Sequence, residues 1–265
     1  MEPFCCQAVQ KGTHKNGFDM MVFFLSCTFW ETSTFAKKKG NEDVCTHYQR
    51  FLEAGVPKEP LNQALAFYTQ KQFSNNRYVS IADYTQSSTK NRFYLLDLET
   101  GHVQKEKVSH GSGSQKGKKY GDPDHDGMLD SCQHNGDRTN MTRVGFFMTA
   151  ELYFSSAHDA QKGRKGWPDI QDSGTRYNGL RLKGMSSSNK ESYSRGVVMH
   201  EANYNKRAKM GRSYGCPAFV PKKGREIMHK IKEGSLFYGY APQCVALMKA
   251  SIQQVKGWES QCSSH

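Results

Sequence analysis

Apolar residues first fall into register at Leu61, Ala64, Leu65 and Tyr68, the i, i+3, i+4, i+7 spacing of one helical face. Pro60 suits the first turn of that helix, which should end near Phe73, before the polar Ser74-Asn75-Asn76. Upstream, residues 37–57 are polar and lysine-rich and read as a linker carrying a short helix over Val44–Ala54. From Arg77 the pattern changes to short β-prone runs: Tyr78–Tyr84, then Arg92–Leu98 and His102–Val108 joined by the turn Glu99-Thr100-Gly101 as a hairpin. Ser109–Tyr120 is rich in Gly, Ser and Lys and reads as loop. Val144–Phe154, Gly179–Lys183 and Gly196–His200 are further strands. Pro221 opens a helix with Ile227, Met228 and Ile231 on one face and Gly234 past its end, followed by the apolar strand Leu236–Tyr240. A last short helix falls within Gln243–Val255. No βαβ alternation dominates, so the fold class is α+β: a mainly β, mainly antiparallel domain with capping helices.

Lys and Arg exceed Asp and Glu, for a net charge of +12, which favours anionic partners. No zinc-finger, basic-zipper or RNP-type spacing points to nucleic acid. No apolar run reaches the ~18–20 residues that span a bilayer. Residues 1–36 have the order of a secretory leader: Lys11 and Lys15, the apolar stretch from Met20 to Trp30, then Thr34-Phe35-Ala36. Asp19 interrupts that order, and a start at Met20 or Met21 would remove it. Export, to the periplasm or cell envelope, is the resulting expectation. Cleavage after Ala36 leaves five of the eight cysteines. With Cys216 free, Cys45, Cys132, Cys244 and Cys262 can pair in three ways, among them a Cys244–Cys262 staple of the tail.

Two segments carry candidate chemistry. Val197-Val198-Met199-His200 ends an apolar strand on a histidine. Gly211-Arg212-Ser213-Tyr214-Gly215-Cys216-Pro217 sets a cysteine in a glycine-bounded turn just before a helix. Such a turn clusters backbone N–H groups, which can hold an oxyanion and favour a thiolate, and a nearby imidazole would take the thiol proton. A papain-like protease is excluded, because there the cysteine precedes the histidine and sits in a C-G-[SA]-C-[WY] element.

These segments resemble the signature of the L,D-transpeptidase (YkuD-type) catalytic domain, H-x(14–17)-[ST]-x-G-C. The similarity is closer to the murein L,D-transpeptidase branch, with His200-Glu201-Ala202-Asn203-Tyr204 and Gly211-Arg212-Ser213-Tyr214-Gly215-Cys216-Pro217-Ala218. The likeness runs from about Gly55 to Tyr240 and implies a mixed or antiparallel β-sandwich, with the catalytic domain at 77–242 and a tail at 243–265. It implies an acyltransferase acting on peptidoglycan stem peptides to form 3→3 cross-links, or an L,D-carboxypeptidase if water is the acceptor. A non-enzymatic, basic wall-binding module is the third reading. On this resemblance Cys216 is the nucleophile and His200 the base, oriented by the backbone carbonyl of Glu201. The amides of Tyr214, Gly215 and Cys216 form the oxyanion hole, and Arg212, Ser213 and Tyr204 contact substrate. No cofactor is needed for the chemistry. Glu201 stands where the family has glycine, and its charge would raise the imidazole pKa.

A second pattern lies at 122–133, which reads as an insertion. Asp122, Asp124, Asp126 and Asp130 occupy loop positions 1, 3, 5 and 9, with Gly127 at position 6. The alternation resembles a thrombospondin-type-3 or dockerin-like calcium loop and predicts a structural calcium. His110 and Ser112 read either as lining of the substrate groove or as a plain glycine-rich turn.

Overall fold

The computed structural model describes residues 44–114, 119–136, 138–154, 177–202, 205, 210, 213–255 and 257–262; the leader expected at 1–36 lies outside them. Helices α1 (Tyr48–Glu53) and α2 (Lys58–Gln70) come first. Strands β1 (Tyr78–Asp83), β2 (Phe93–Asp97) and β3 (Val103–Glu106) follow, then the small ribbon β4 (Gly113–Ser114) with β5 (Lys119–Tyr120). Next come β6 (Gly145–Tyr153), β7 (Gly179–Gly184), β8 (Val198–Glu201) and β9 (Ala218–Phe219). Helix α3 (Lys223–Ile231), β10 (Leu236–Tyr240), α4 (Val245–Ile252) and a 3-10 turn (Trp258–Ser260) complete the order.

Eight strands form one sheet in the order β3-β2-β1-β10-β6-β7-β8-β9. Only β1/β10 and β8/β9 pair in parallel; the other pairs are antiparallel. The two edges nearly meet. Just past β3, the Ser109 N–H donates to the Ala218 carbonyl on β9 at 2.9 Å, and Gly111 bridges Ser213. The sheet therefore curls towards a closed barrel, which satisfies strand edges that would otherwise be open to other chains.

Alternation along the strands divides the apolar residues between two faces. On one, α2 lays Phe67 against Phe146 at 3.9 Å, and Phe146 stacks on Tyr238 at 4.3 Å. On the other, Phe93 meets Phe219 edge-on at 4.8 Å and Phe147 stacks on Phe237, with Ile227, Met228 and Ile231 of α3 in the same core. Each such buried side chain contributes roughly 1.5–3 kcal/mol. Residues 44–76, read from sequence as linker and N-terminal helices, add Phe51, Leu61, Leu65 and Phe67 to this core.

The Cys244–Cys262 staple does not form. Cys45 pairs with Cys262 across 217 residues and Cys132 with Cys244 across 112, with Cα separations of 5.4 and 5.9 Å. Cys244 sits at the start of α4, facing the acidic loop, while the tail past Trp258 returns to α1 and α2. There Gln261 Nε2 donates to Thr69 Oγ1 at 3.0 Å. The ribbon β4–β5 interrupts the segment expected to be all loop.

Candidate active site

Strand β8 and the turn before β9 bring the two expected groups together. His200 stands opposite Ala218 in the parallel pair, two residues past Cys216, and its N–H donates to the Pro217 carbonyl at 3.2 Å. The imidazole is buried, and its Nδ1 lies 2.7 Å from the Glu201 carbonyl oxygen. A carbonyl only accepts, so Nδ1 carries the proton and Nε2 of the neutral ring is the basic nitrogen. Cys216 is the free cysteine among the described residues and is half-buried. Burial pushes its thiol above the ordinary value, and a hydrogen bond from the Val198 backbone pulls back only part of that. Cys216 thus rests as a thiol that needs a base.

The Glu201 carboxylate is engaged with α3 rather than with the imidazole beside it. Successive side chains on a strand point to opposite faces, and this one turns towards α3. There Arg225 forks it, Nε to Oε1 at 3.2 Å and Nη2 to Oε2 at 3.0 Å, while the Lys222 N–H donates to Oε1 at 3.0 Å. The ion pair matches the charge and clamps the residue whose carbonyl sets the His200 tautomer.

The turn at Cys216 is built on Ser213 and Gly215. Ser213, expected among substrate contacts, is buried. Its hydroxyl faces the carbonyls of His110 (3.2 Å) and Cys216 (2.5 Å) and accepts the Gly215 N–H at 3.2 Å. Gly215 has φ of +106°, and a Cβ there would lie 2.7 Å from the Met141 carbonyl, so glycine is required. Of the three amides expected to line an oxyanion hole, that of Gly215 is engaged with Ser213. Those of Tyr214 and Cys216 make no hydrogen bond to another described residue. The Tyr214 side chain is 83% exposed beside them. Tyr204 and Arg212 lie outside the described residues.

His110 is neither groove lining nor a simple turn residue. It is fully buried, and its carbonyl accepts the Ser213 N–H at 2.8 Å, beneath the cysteine turn. Arg92, also fully buried, directs Nη2 at His110 Nδ1 (2.8 Å). A guanidinium only donates, so Nδ1 accepts and Nε2–H faces the Asp122 carboxylate at 3.3 Å. Burial lowers Arg92 to about 10, still a cation at neutral pH. Ser112 Oγ donates to the Ser213 carbonyl at 3.1 Å. Asp122, Asp124 and Asp130 bring carboxylate oxygens within 4.8 Å of one another, and Asp122 is fully buried. Asp126 is not in that group. Its Oδ1 accepts the Met128 N–H, and its own N–H donates to Asp124 Oδ1. Burial, then repulsion from the neighbouring aspartates, raises the Asp130 carboxyl.

Sequence reading missed one further row. Tyr153, Gly179 and His200 are directly opposed across β6, β7 and β8 and share a face. The Tyr153 ring lies over Gly179, where a Cβ would fall 2.3 Å from Cε1. Its hydroxyl is raised by burial and by proximity to the Cys216 thiol. Parity on β7, once His200 is taken as the base, is the signal that would have found this row.

The family model for the L,D-transpeptidase catalytic domain matches residues 52–162 and 151–240. Three solved structures are also similar. An L,D-transpeptidase from Mycobacterium smegmatis has 15% identity over 62% of this chain and 59% of that one, with a TM-score of 0.35. L,D-transpeptidase 1 of Mycobacterium tuberculosis has 16% identity over 62% of each chain, with a TM-score of 0.30. An LD transpeptidase in complex with imipenem has 14% identity over 62% of this chain and 59% of that one, with a TM-score of 0.34. The chain thus spans about three-fifths of the length of the solved structures it matches, and no curated protein matches it significantly. The matched family model covers more than half of the chain, which belongs to the L,D-transpeptidase catalytic-domain family.

Proposed function

We propose that this protein is a cysteine acyltransferase acting on peptidoglycan stem peptides, with Cys216 as nucleophile and His200 as general base. The observation that carries the reading is the contact of His200 Nδ1 with the Glu201 carbonyl. Nδ1–H is committed to the Glu201 carbonyl, so Nε2 is the nitrogen that would serve a thiol held in the adjoining turn. Nε2 takes the Cys216 proton as the sulfur attacks the acyl carbon. The Tyr214 and Cys216 amides would hold the oxyanion. The imidazolium then returns that proton to the departing amine, leaving a thioester. A second stem amine resolves the thioester to a 3→3 cross-link, and water instead would give a tripeptide.

Transfer is the primary reading, supported by the family match. Incubation with disaccharide tetrapeptides followed by mass analysis tests it: dimers support transfer, and tripeptide monomers alone overturn it in favour of a carboxypeptidase. Imipenem tests the nucleophile. A stoichiometric adduct on Cys216 supports the reading, and its absence from the folded protein favours a non-catalytic wall-binding module. Two disulfides support folding in an oxidising compartment, in keeping with an exported, envelope location. Among the described residues no helix is long and apolar enough to cross a membrane. The Asp122, Asp124 and Asp130 carboxylates fit a hard cation by chemistry and spacing, and we assign them a structural rather than a chemical calcium.

A further inference from the structure

On the face that carries His200, β7 presents Gly179, Arg181 and Lys183, while Leu180 and Leu182 are buried on the other side. Arg181 stands opposite Val198, whose backbone N–H stabilises the Cys216 thiolate, just as Gly179 stands opposite His200. The Arg181 guanidinium lies over the rings of Tyr153 (5.0 Å) and Tyr193 (5.7 Å), and the Lys183 ammonium lies 5.7 Å from the Tyr193 ring. Stacking of this kind fixes a long side chain in advance and lowers the ordering cost of binding. Glu151 is the one acidic partner here among the described residues. It accepts Arg181 Nε at 3.1 Å and the Tyr193 hydroxyl at 2.7 Å. Two cations against one carboxylate leave a net positive charge. The Arg181 terminal nitrogens and Lys183 Nζ make no hydrogen bond to another described residue, and Arg181 remains 37% exposed.

We infer that Arg181 and Lys183, framed by Tyr153 and Tyr193, form a carboxylate-binding subsite that positions the acyl-donor peptide. The inference rests on the acyl-transfer reading above. Two strand spacings separate β7 from the turn that holds Cys216, about 10 Å. A carboxylate held on Arg181 therefore lies two to three extended residues, or one long side chain, from the carbonyl under attack. A guanidinium with its two terminal nitrogens open takes such a group in a fork, and Lys183 adds a point charge. Tyr153 connects the subsite to the reacting centre, since it stacks on Arg181 and reaches over Gly179 towards His200 and Cys216. The chemistry specifies a carboxylate on the acyl side of the scissile bond, which either the second residue's backbone or the third residue's side chain can supply.

Synthetic tetrapeptide donors settle it, with all carboxylates free or with one at a time converted to the primary amide. Thioester formation and release of the terminal residue are followed by mass spectrometry. Wild type should favour the free donor over one of the two amides by about tenfold in kcat/KM, the scale of one charge-assisted hydrogen bond. The amide that is penalised identifies the source. Arg181→Gln and Lys183→Gln should bring that ratio towards one, through KM rather than kcat, with the urea unfolding midpoint of each variant measured as the check on folding. Equal use of free and amidated donors by wild type, or an unaltered ratio in Arg181→Gln, overturns the subsite and leaves the acyl-transfer reading standing. A wild-type protein that processes none of the donors overturns both.

Discussion

Replacing Arg225 by methionine isolates the clamp on Glu201. The carboxylate is 1% exposed and the guanidinium 12%, and the two meet through a fork of 3.2 and 3.0 Å. At an effective dielectric of 20, charges 3 Å apart attract by about 5 kcal/mol. Desolvation has already consumed much of that, yet removing one partner strands the other. The Lys222 N–H is then the remaining donor to a buried charge. Loss of one partner of a buried pair costs roughly 3–5 kcal/mol. In a domain of this size that lowers Tm by roughly 6–20 °C. Glu201→Gln retains the Lys222 contact and should cost less, and the double variant should recover part of the loss of Arg225→Met. Urea unfolding of the four proteins gives the coupling energy directly. The variants should also slow imipenem acylation of Cys216, because the Glu201 carbonyl that orients His200 loses its anchor. A coupling below about 1 kcal/mol together with an unchanged acylation rate would refute the reasoning, leaving the ion pair a bystander.

Alkylation of Cys216 by iodoacetamide should rise with pH beyond the usual thiol range, because burial raises the thiol and leaves the thiolate a minority at neutral pH. A plateau below pH 7 would mean a preformed thiolate–imidazolium pair instead. Converting Cys132 and Cys244 together to serine should destabilise the protein by about 3–5 kcal/mol in urea, since the bond closes a loop of 112 residues. An unchanged midpoint would show that the acidic loop is held by other contacts. Calcium at millimolar concentration should raise Tm, and Asp124→Asn with Asp130→Asn should abolish the rise; no shift in wild type removes the metal assignment.

How far the sequence carried depended on whether a signal was local. Long apolar runs such as Phe146–Tyr153 and Leu236–Tyr240 declare themselves as strands, because both faces or one whole face of each must be covered. Strand β9 does not, since Ala218 and Phe219 are strand only through long-range pairing, with His200 and Glu201 on one side and Ser109 on the other. The Cys–His pair was legible because its spacing and glycines are constraints of one turn and one strand end. Arg92, His110 and Asp122 were opaque for the opposite reason. They are scattered along the chain, and only closure of the sheet buries them together. The disulfides follow the same rule: four cysteines do not declare their pairing until the tail is seen to return past α2.

That buried trio also explains why an acidic loop belongs near a cysteine turn at all. Arg92 donates to the carbonyls of Gln86, Gly127 and Val108 and to His110 Nδ1, so one side chain ties the acidic loop to the segment under Ser213. His110 then hands its carbonyl to Ser213, whose hydroxyl fixes Gly215 and Cys216. Most of these links are buried hydrogen bonds, where an unsatisfied partner costs more than the bond itself contributes. The Cys216 turn, with a positive-φ glycine and two amides left open, has few bonds of its own to hold its shape. The rigidity that the proposed acyl transfer needs is supplied from below, through His110. The same argument places Asp122 in a structural role, since it faces Nε2–H of the histidine that carries the turn.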